Sequence, residues 1–279
     1  LPLYAFGERR DINTYGAITQ GSSRSLAKTI RGVHAALSPH GETDHPDFDD
    51  SNLDAILFSE VKFEALGISF LPVTEIKKQQ VQQPSLLSSL FSDAVEQELK
   101  GLRARLRKDP DRMDSEADGL QLTVEELGAL SQPLQERLSL LDWVYIPPED
   151  PENRSSQDEE ERKALKALRN QAIEAGITRF ERELTDANGR DPVLAAKMEH
   201  NRWMGERLSK GWKFGPRSDV RKQRTTFVSW ECLSDGDRLY DRQQIPRLIL
   251  AQRRRGYYAY ASFPVEETSA IDRQTSGGS

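Results

Sequence analysis

A single cysteine, Cys232, stands among the 279 residues. One thiol cannot form an internal disulfide framework, and the scarcity fits a reducing cytoplasm. No apolar run approaches the roughly 20 residues that a membrane span needs, and no signal peptide opens the chain. Histidine is scarce too, with four copies. His40 and His45 sit among Glu42, Asp44, Asp47, Asp49 and Asp50, without zinc-site spacing or EF-hand geometry. That stretch is expected to be a solvated acidic loop. Glycine-rich phosphate loops are also missing. Gly7-Glu-Arg-Arg has no Lys-Ser/Thr after it, and Gly205 and Gly211 make no dinucleotide fingerprint. Neither a metal nor a cofactor is expected. Cys232 has no catalytic partner nearby in sequence and sits in an apolar run, so a buried thiol is expected.

What is present suits a chain with a core. Hydrophobic residues make up 36% and charged residues 30%. The net charge of −6 is unevenly spread. Residues 194–255 hold 15 Lys and Arg against 7 Asp and Glu, a net of +8, and the remainder carries −14. A basic module on an acidic chain calls for an anionic partner for that module. The overall acidity argues against a nucleic-acid coat protein, whose affinity rests on many phosphate contacts.

Periodicity outlines the elements. A first helix is expected over 24–37, with Leu26, Ile30, Val33 and Leu37 as its stripe. A second covers 53–66, ends at Gly67 and passes into a short strand from Ile68. Residues 77–89 read as a Gln- and Ser-rich connector, and a long amphipathic helix follows over 92–108. Thr123-Val-Glu-Glu126 is a capping box, with a further helix over 132–141. Pro147-Pro-Glu-Asp-Pro begins the clearest linker. Ser156-Gln-Asp-Glu159 reads as another capping box, whose helix is expected to stop at Gly176. Asp191-Pro192 opens a helix to Ser209, which Gly211 ends. Residues 237–255 are helical by pattern, with a break or fresh start at Pro246, and residues 257–263 alternate like a strand. Residues 52–67 and 241–256 match as a weak repeat, each a helix ending in Gly before a β-prone piece.

The densest motif is the run from Met198 to Pro216. It combines Trp203 and Trp212 with His200, Arg202, Arg207, Lys210 and Lys213. Packing is the expected role of Trp203 and Trp230, and helix packing that of His200. Trp212 is expected to be partly exposed, beside Lys213, Phe214 and Gly215. Flat rings next to cations can stack a base and neutralise phosphates. Arg offers phosphate a planar fork, and Lys213 and Arg217 flank the Gly215-Pro216 turn.

Taken in order, His200-Asn-Arg-Trp203, Gly211-Trp-Lys-Phe-Gly215, Phe227-Val-Ser-Trp-Glu-Cys-Leu233 and Asp241-Arg242 resemble the ryanodine receptor (RyR) domain family over residues 194–250. Arg224-Thr225 replaces the family's His-Pro, and Ser229 replaces the proline of its Leu-x-Pro block. The resemblance implies a mainly α fold with short β-strands, built from helical repeats in a pseudo-duplicated arrangement. It implies a degenerate half-repeat within 1–75, a helical middle over 76–150, a linker and helix over 151–190, the RyR domain at 191–265 and a disordered tail over 266–279. The opening Leu1-Pro-Leu-Tyr-Ala-Phe then reads as the end of a preceding domain. The function implied is non-enzymatic: a cytoplasmic bacterial sensor of a small anionic nucleotide-derived molecule, resembling ADP-ribose or a cyclic nucleotide, in an antiphage system. The ligand set expected is Trp203, Arg207, Trp212, Lys213, Phe214, Arg217, Trp230 and Arg242. A homo-oligomer is expected, with no membrane span and no clear nucleic-acid binding. The alternative is a protein-interaction module that uses the amphipathic helices of 92–141; a nucleotide hydrolase ranks last.

Overall fold

The computed structural model describes residues 58–79, 84–109, 112, 119–147 and 155–261. The helix expected over 24–37, the acidic loop with His40 and His45, the linker over 148–154 and the tail of 266–279 lie outside them. The described chain is mainly helical, with a few short strands. No helix among the described residues is long and apolar enough to cross a membrane.

Helix α1 (Ser59–Ala65) leads through Gly67 into β1 (Ile68–Pro72), then α2 (Val73–Gln79). The connector expected over 77–89 is described at its two ends. Helix α2 ends in it, and a 3-10 turn at Ser88–Phe91 begins in it. Leu86 and Leu87 are buried at its end, with Leu90 just after it.

Helix α3 (Asp93–Leu106) starts where the Ser92 hydroxyl accepts the Val95 N–H at 3.4 Å. Its Val95, Leu99, Leu102 and Leu106 form one buried stripe, and each contributes about 1.5–3 kcal/mol on burial. Helix α4 (Val124–Gly128) opens with the Thr123–Glu126 capping box, and α5 (Gln132–Leu140) follows.

The helix expected to stop at Gly176 does not stop. Helix α6 (Ser156–Asn188) runs on to Gly189, a left-handed C-cap at φ 68. Its capping box lies one residue earlier than expected, between Ser155 and Asp158. Gly176 serves packing instead. A Cβ there would meet Leu140 Cδ1 at 2.6 Å, so the missing side chain lets α5 press against α6.

Helix α7 (Val193–Ser209) begins where Asp191 Oδ1 accepts the Val193 N–H at 2.9 Å. It ends at Gly211, φ 82. Then come β2 (Lys213–Phe214), β3 (Gln223–Arg224), a 3-10 turn at Trp230–Cys232, α8 (Asp235–Arg242), α9 (Gln244–Arg254) and β4 (Tyr257–Ala261). Pro246 sits in the first turn of α9, where a missing N–H removes no helical bond.

β1 pairs antiparallel with β4, Ile68 opposite Ala261 and Pro72 opposite Tyr257. The two helix–glycine–strand units matched as a repeat thus meet as one ribbon, after Gly67 at φ 63 and Gly256 at φ 83. The main core runs from Phe63 through α3, α5 and α6 to Ala261. A small second cluster of Ala196, Trp230 and Leu233 lies between α7 and the 3-10 turn before α8.

Candidate functional site

Helix α7 carries the site on three levels. The innermost is ionic. Lys62, with no exposed surface, donates from Nζ to Glu199 Oε2 at 2.8 Å and to Gln244 Oε1 at 3.0 Å. Arg202 donates to Glu199 from Nε and Nη2 and to Glu206 from Nη1. Lys210 donates to Glu206 at 2.9 Å. Glu199, Arg202, Glu206 and Lys210 follow at spacings of three and four, which puts them on one helix face. Burial pushes the Lys62 ammonium down, and Glu199 only partly offsets it. Burial pushes the Glu199 carboxyl up, but Lys62 and Arg202 together outweigh it and hold it below the usual range. The two partners differ because Glu199 has two cations and Lys62 has one carboxylate.

His200 forms the second level. Its Nε2 lies 2.7 Å from the Val228 carbonyl oxygen, which can only accept, so Nε2 bears the hydrogen. Its Nδ1 faces Asp241 Oδ2 at 3.5 Å. That contact is an ion pair only when the imidazole is protonated. Burial pushes His200 down, yet Asp241 and the Val228 carbonyl more than offset it and leave its pKa raised. Burial raises Asp241 as well. The imidazole stacks on Trp203 at 5.9 Å and meets Trp230 edge-on at 6.1 Å, while Trp203 meets Phe227 at 5.7 Å. Trp230 is 7% exposed, in line with its expected packing role.

The outer level is the basic turn. The Lys213 N–H donates to the Lys222 carbonyl at 2.9 Å and the Gly215 N–H to the Arg224 carbonyl at 3.2 Å, which pairs β2 with β3 in parallel. Gly215 leaves room for the Gln223 side chain, whose Cδ would stand 2.8 Å from a Cβ there. Ser218 and Gln223 exchange backbone bonds and pinch off residues 219–222 as a tip. Arg207 and Arg224 lie over the half-buried Trp212 ring, 5.0 and 4.6 Å from its centroid. Arg224 also pairs with Asp219. Lys213, Arg217, Arg221 and Lys222 are exposed, and Phe214 is 62% exposed.

The expected ligand residues therefore divide. Arg207, Trp212, Lys213, Phe214 and Arg217 belong to the turn and its root. Trp203 and Trp230 pack around His200. Arg242 turns to α6, where Nε and Nη2 meet the Glu181 carboxylate at 2.9 and 2.8 Å. Cys232 is exposed rather than buried. Trp230 and Leu233 turn inward from that 3-10 turn and leave Cys232 outside. Among the described residues no group of His, Cys, Asp or Glu is placed to hold a metal.

Lys62 and Gln244 escape a motif-based reading, as do the Asp241 contact with His200 and the Arg224 contact with Trp212. Lys62 did leave a signal, because it interrupts the Phe58, Leu66 row at i and i+8 with a charge at i+4. Gln244 leaves none, and Asp241 is marked by its motif but not by its partner, as the partners of both lie on other elements. Comparison with protein-family models, with curated proteins and with solved structures finds no match to this chain.

Proposed function

We propose that this chain is a sensing module that binds a small anionic, nucleotide-derived molecule at the turn from α7 to β3. The observation that carries the reading is the Trp212 ring under Arg207 and Arg224, next to the exposed Phe214 and Lys213. A guanidinium stacks on a ring by its face and presents a planar fork that matches phosphate oxygens, so a bound phosphate competes with Asp219 for Arg224. In this reading Trp212 holds the two arginines, and Phe214 offers the free ring face on which a base stacks. Lys213 and Arg217 add charge at the rim. The resemblance to the RyR domain family, with the bacterial antiphage setting it suggests, belongs to the same proposal. The amphipathic stripe of α3, which favours an interaction module in sequence, is spent inside the chain's own core.

Calorimetry with ADP-ribose, cyclic nucleotides and adenine nucleotides tests the reading. At least one of them binds, and Phe214→Ser and Lys213→Gln each weaken it about tenfold, the scale of one stacked base. Both side chains are exposed, so the melting temperature stays put. Failure of every one of these ligands to bind the folded chain sinks the reading, as does wild-type affinity in both variants.

A further inference from the structure

Arg247 is a guanidinium placed inside the fold. On α9 it has Gln243 four positions before it and Leu250 three after, and all three are buried, so this face of the helix turns inward. There α9 packs on α5 and α6. Arg247 Nε, Nη1 and Nη2 are all buried and have no hydrogen-bond partner among the described residues. Burial draws the group's pKa down to about 10, so it still carries its charge at neutral pH.

The charges around Arg247 do not balance. Asp142 is the one carboxylate among the described residues that acts on it, and that carboxylate is already engaged. Its Oδ1 lies 3.2 Å from Arg169 Nη1 on α6, with 5% and 3% of the two side chains exposed. Arg169 acts on Arg247 as a like charge, and Arg169 Nε is itself buried without a partner among the described residues. Two guanidinium groups thus share one carboxylate in the interior. Asp142 is fixed where it stands. It closes α5 in the left-handed region at φ 60, and the Trp143 N–H donates back to the Leu138 carbonyl at 2.8 Å. Wherever that single carboxylate points, the set keeps an excess of one positive charge. Burial pushes the Asp142 carboxyl up, which adds to the excess rather than relieving it.

A buried charge without a counter-charge is costly, and an anion that enters supplies one. We propose that Arg247, together with Arg169, forms a buried binding site for a small monovalent inorganic anion of the chloride class. The excess charge of the set calls for one negative unit. The burial of all three side chains calls for a compact ion that gives up its water. Guanidinium suits such an ion, since it is weakly hydrated and offers several N–H donors in one plane. The site is separate from the exposed turn between α7 and β3 and does not rest on the nucleotide reading. An anion held there ties α9 to α6, and α9 leads into β4, the strand that pairs with β1.

Thermal melts at constant ionic strength, with chloride replacing gluconate across the millimolar range, test the proposal. The melting temperature is expected to climb with the logarithm of chloride once the site fills, by about 3–5 °C for each tenfold rise. Bromide gives the same climb. Arg247→Met abolishes it, whereas Lys213→Gln, at the exposed turn, retains it. Equal melting temperatures in chloride and gluconate overturn the proposal, as does a climb that persists in Arg247→Met. Crystals of the wild-type chain grown in sodium bromide decide the matter if Arg247→Met fails to fold. An anomalous bromide peak beside the Arg247 guanidinium supports the site, and no peak there overturns it.

Discussion

Removing one charge from the Lys62–Glu199 pair has unequal consequences depending on which charge goes. In Glu199→Gln, the Lys62 ammonium stays wholly buried with amide oxygens as its only close partners, and Arg202 loses one of its two carboxylates. An uncompensated buried charge costs about 3–5 kcal/mol. In Lys62→Met, Glu199 keeps its contacts from Arg202, and a side chain of similar length fills the space. The remaining loss is an unpaired Gln244 carbonyl, about 1–3 kcal/mol. The double variant removes both charges and falls within about 1 kcal/mol of Lys62→Met alone, because the two sites couple. Urea denaturation followed by circular dichroism measures all three. There is also a signature in pH. The folded pKa of Lys62 lies below its ordinary 10.5, so folding releases a proton and stability rises with pH across that interval. Glu199→Gln widens the interval and recovers most at high pH. A Glu199→Gln variant as stable as Lys62→Met, or a double variant whose cost is the sum of the singles, refutes this account.

Three further outcomes are expected. Gly176→Ala destabilises by about 1–3 kcal/mol through the clash with Leu140, whereas Gly205→Ala, with open space around its Cβ, stabilises by about 0.5–1 kcal/mol; melting temperatures moving in the same direction contradict this. The raised pKa of His200 makes its contribution complete below its ordinary value of 6.5, and that contribution is lost as pH climbs through the raised one. Asp241, also raised, acts in the same sense from a lower pH. His200→Gln therefore flattens the fall in stability that sets in above pH 6.5, and a profile that stays parallel to wild type through that fall counts against the His200–Asp241 pairing. Arg242→Gln breaks the two bonds to Glu181 and costs about 1.5–3 kcal/mol; calorimetry shows whether nucleotide affinity survives, as the pairing with α6 implies.

Local signals in the sequence mark much of the fold. The Ser92 and Thr123 caps, the stripe of α3 and the glycines after α1, α7 and α9 all work within one turn of chain. Gly176 misleads because its reason is Leu140 on another helix, which no local pattern contains. The site divides the same way. Trp212, Lys213 and Phe214 are adjacent in sequence and legible as a unit. Lys62 meets Glu199 across 137 positions, and the face of Asp241 that matters is set by the packing of α8 on α7.

The β1–β4 ribbon also bears on how the chain is made. Ile68 finds its partner only at Ala261, near the far end of the described residues. During synthesis β1 leaves the ribosome long before β4, its partner among the described residues. Lys62 waits likewise for Glu199. Local helices such as α3 and α6 are free to form early, but the ribbon that closes the core comes last, after the slow search that distant contacts demand. A truncation that removes β4 therefore does more than shorten one end, because it takes from β1 the strand it pairs with among the described residues.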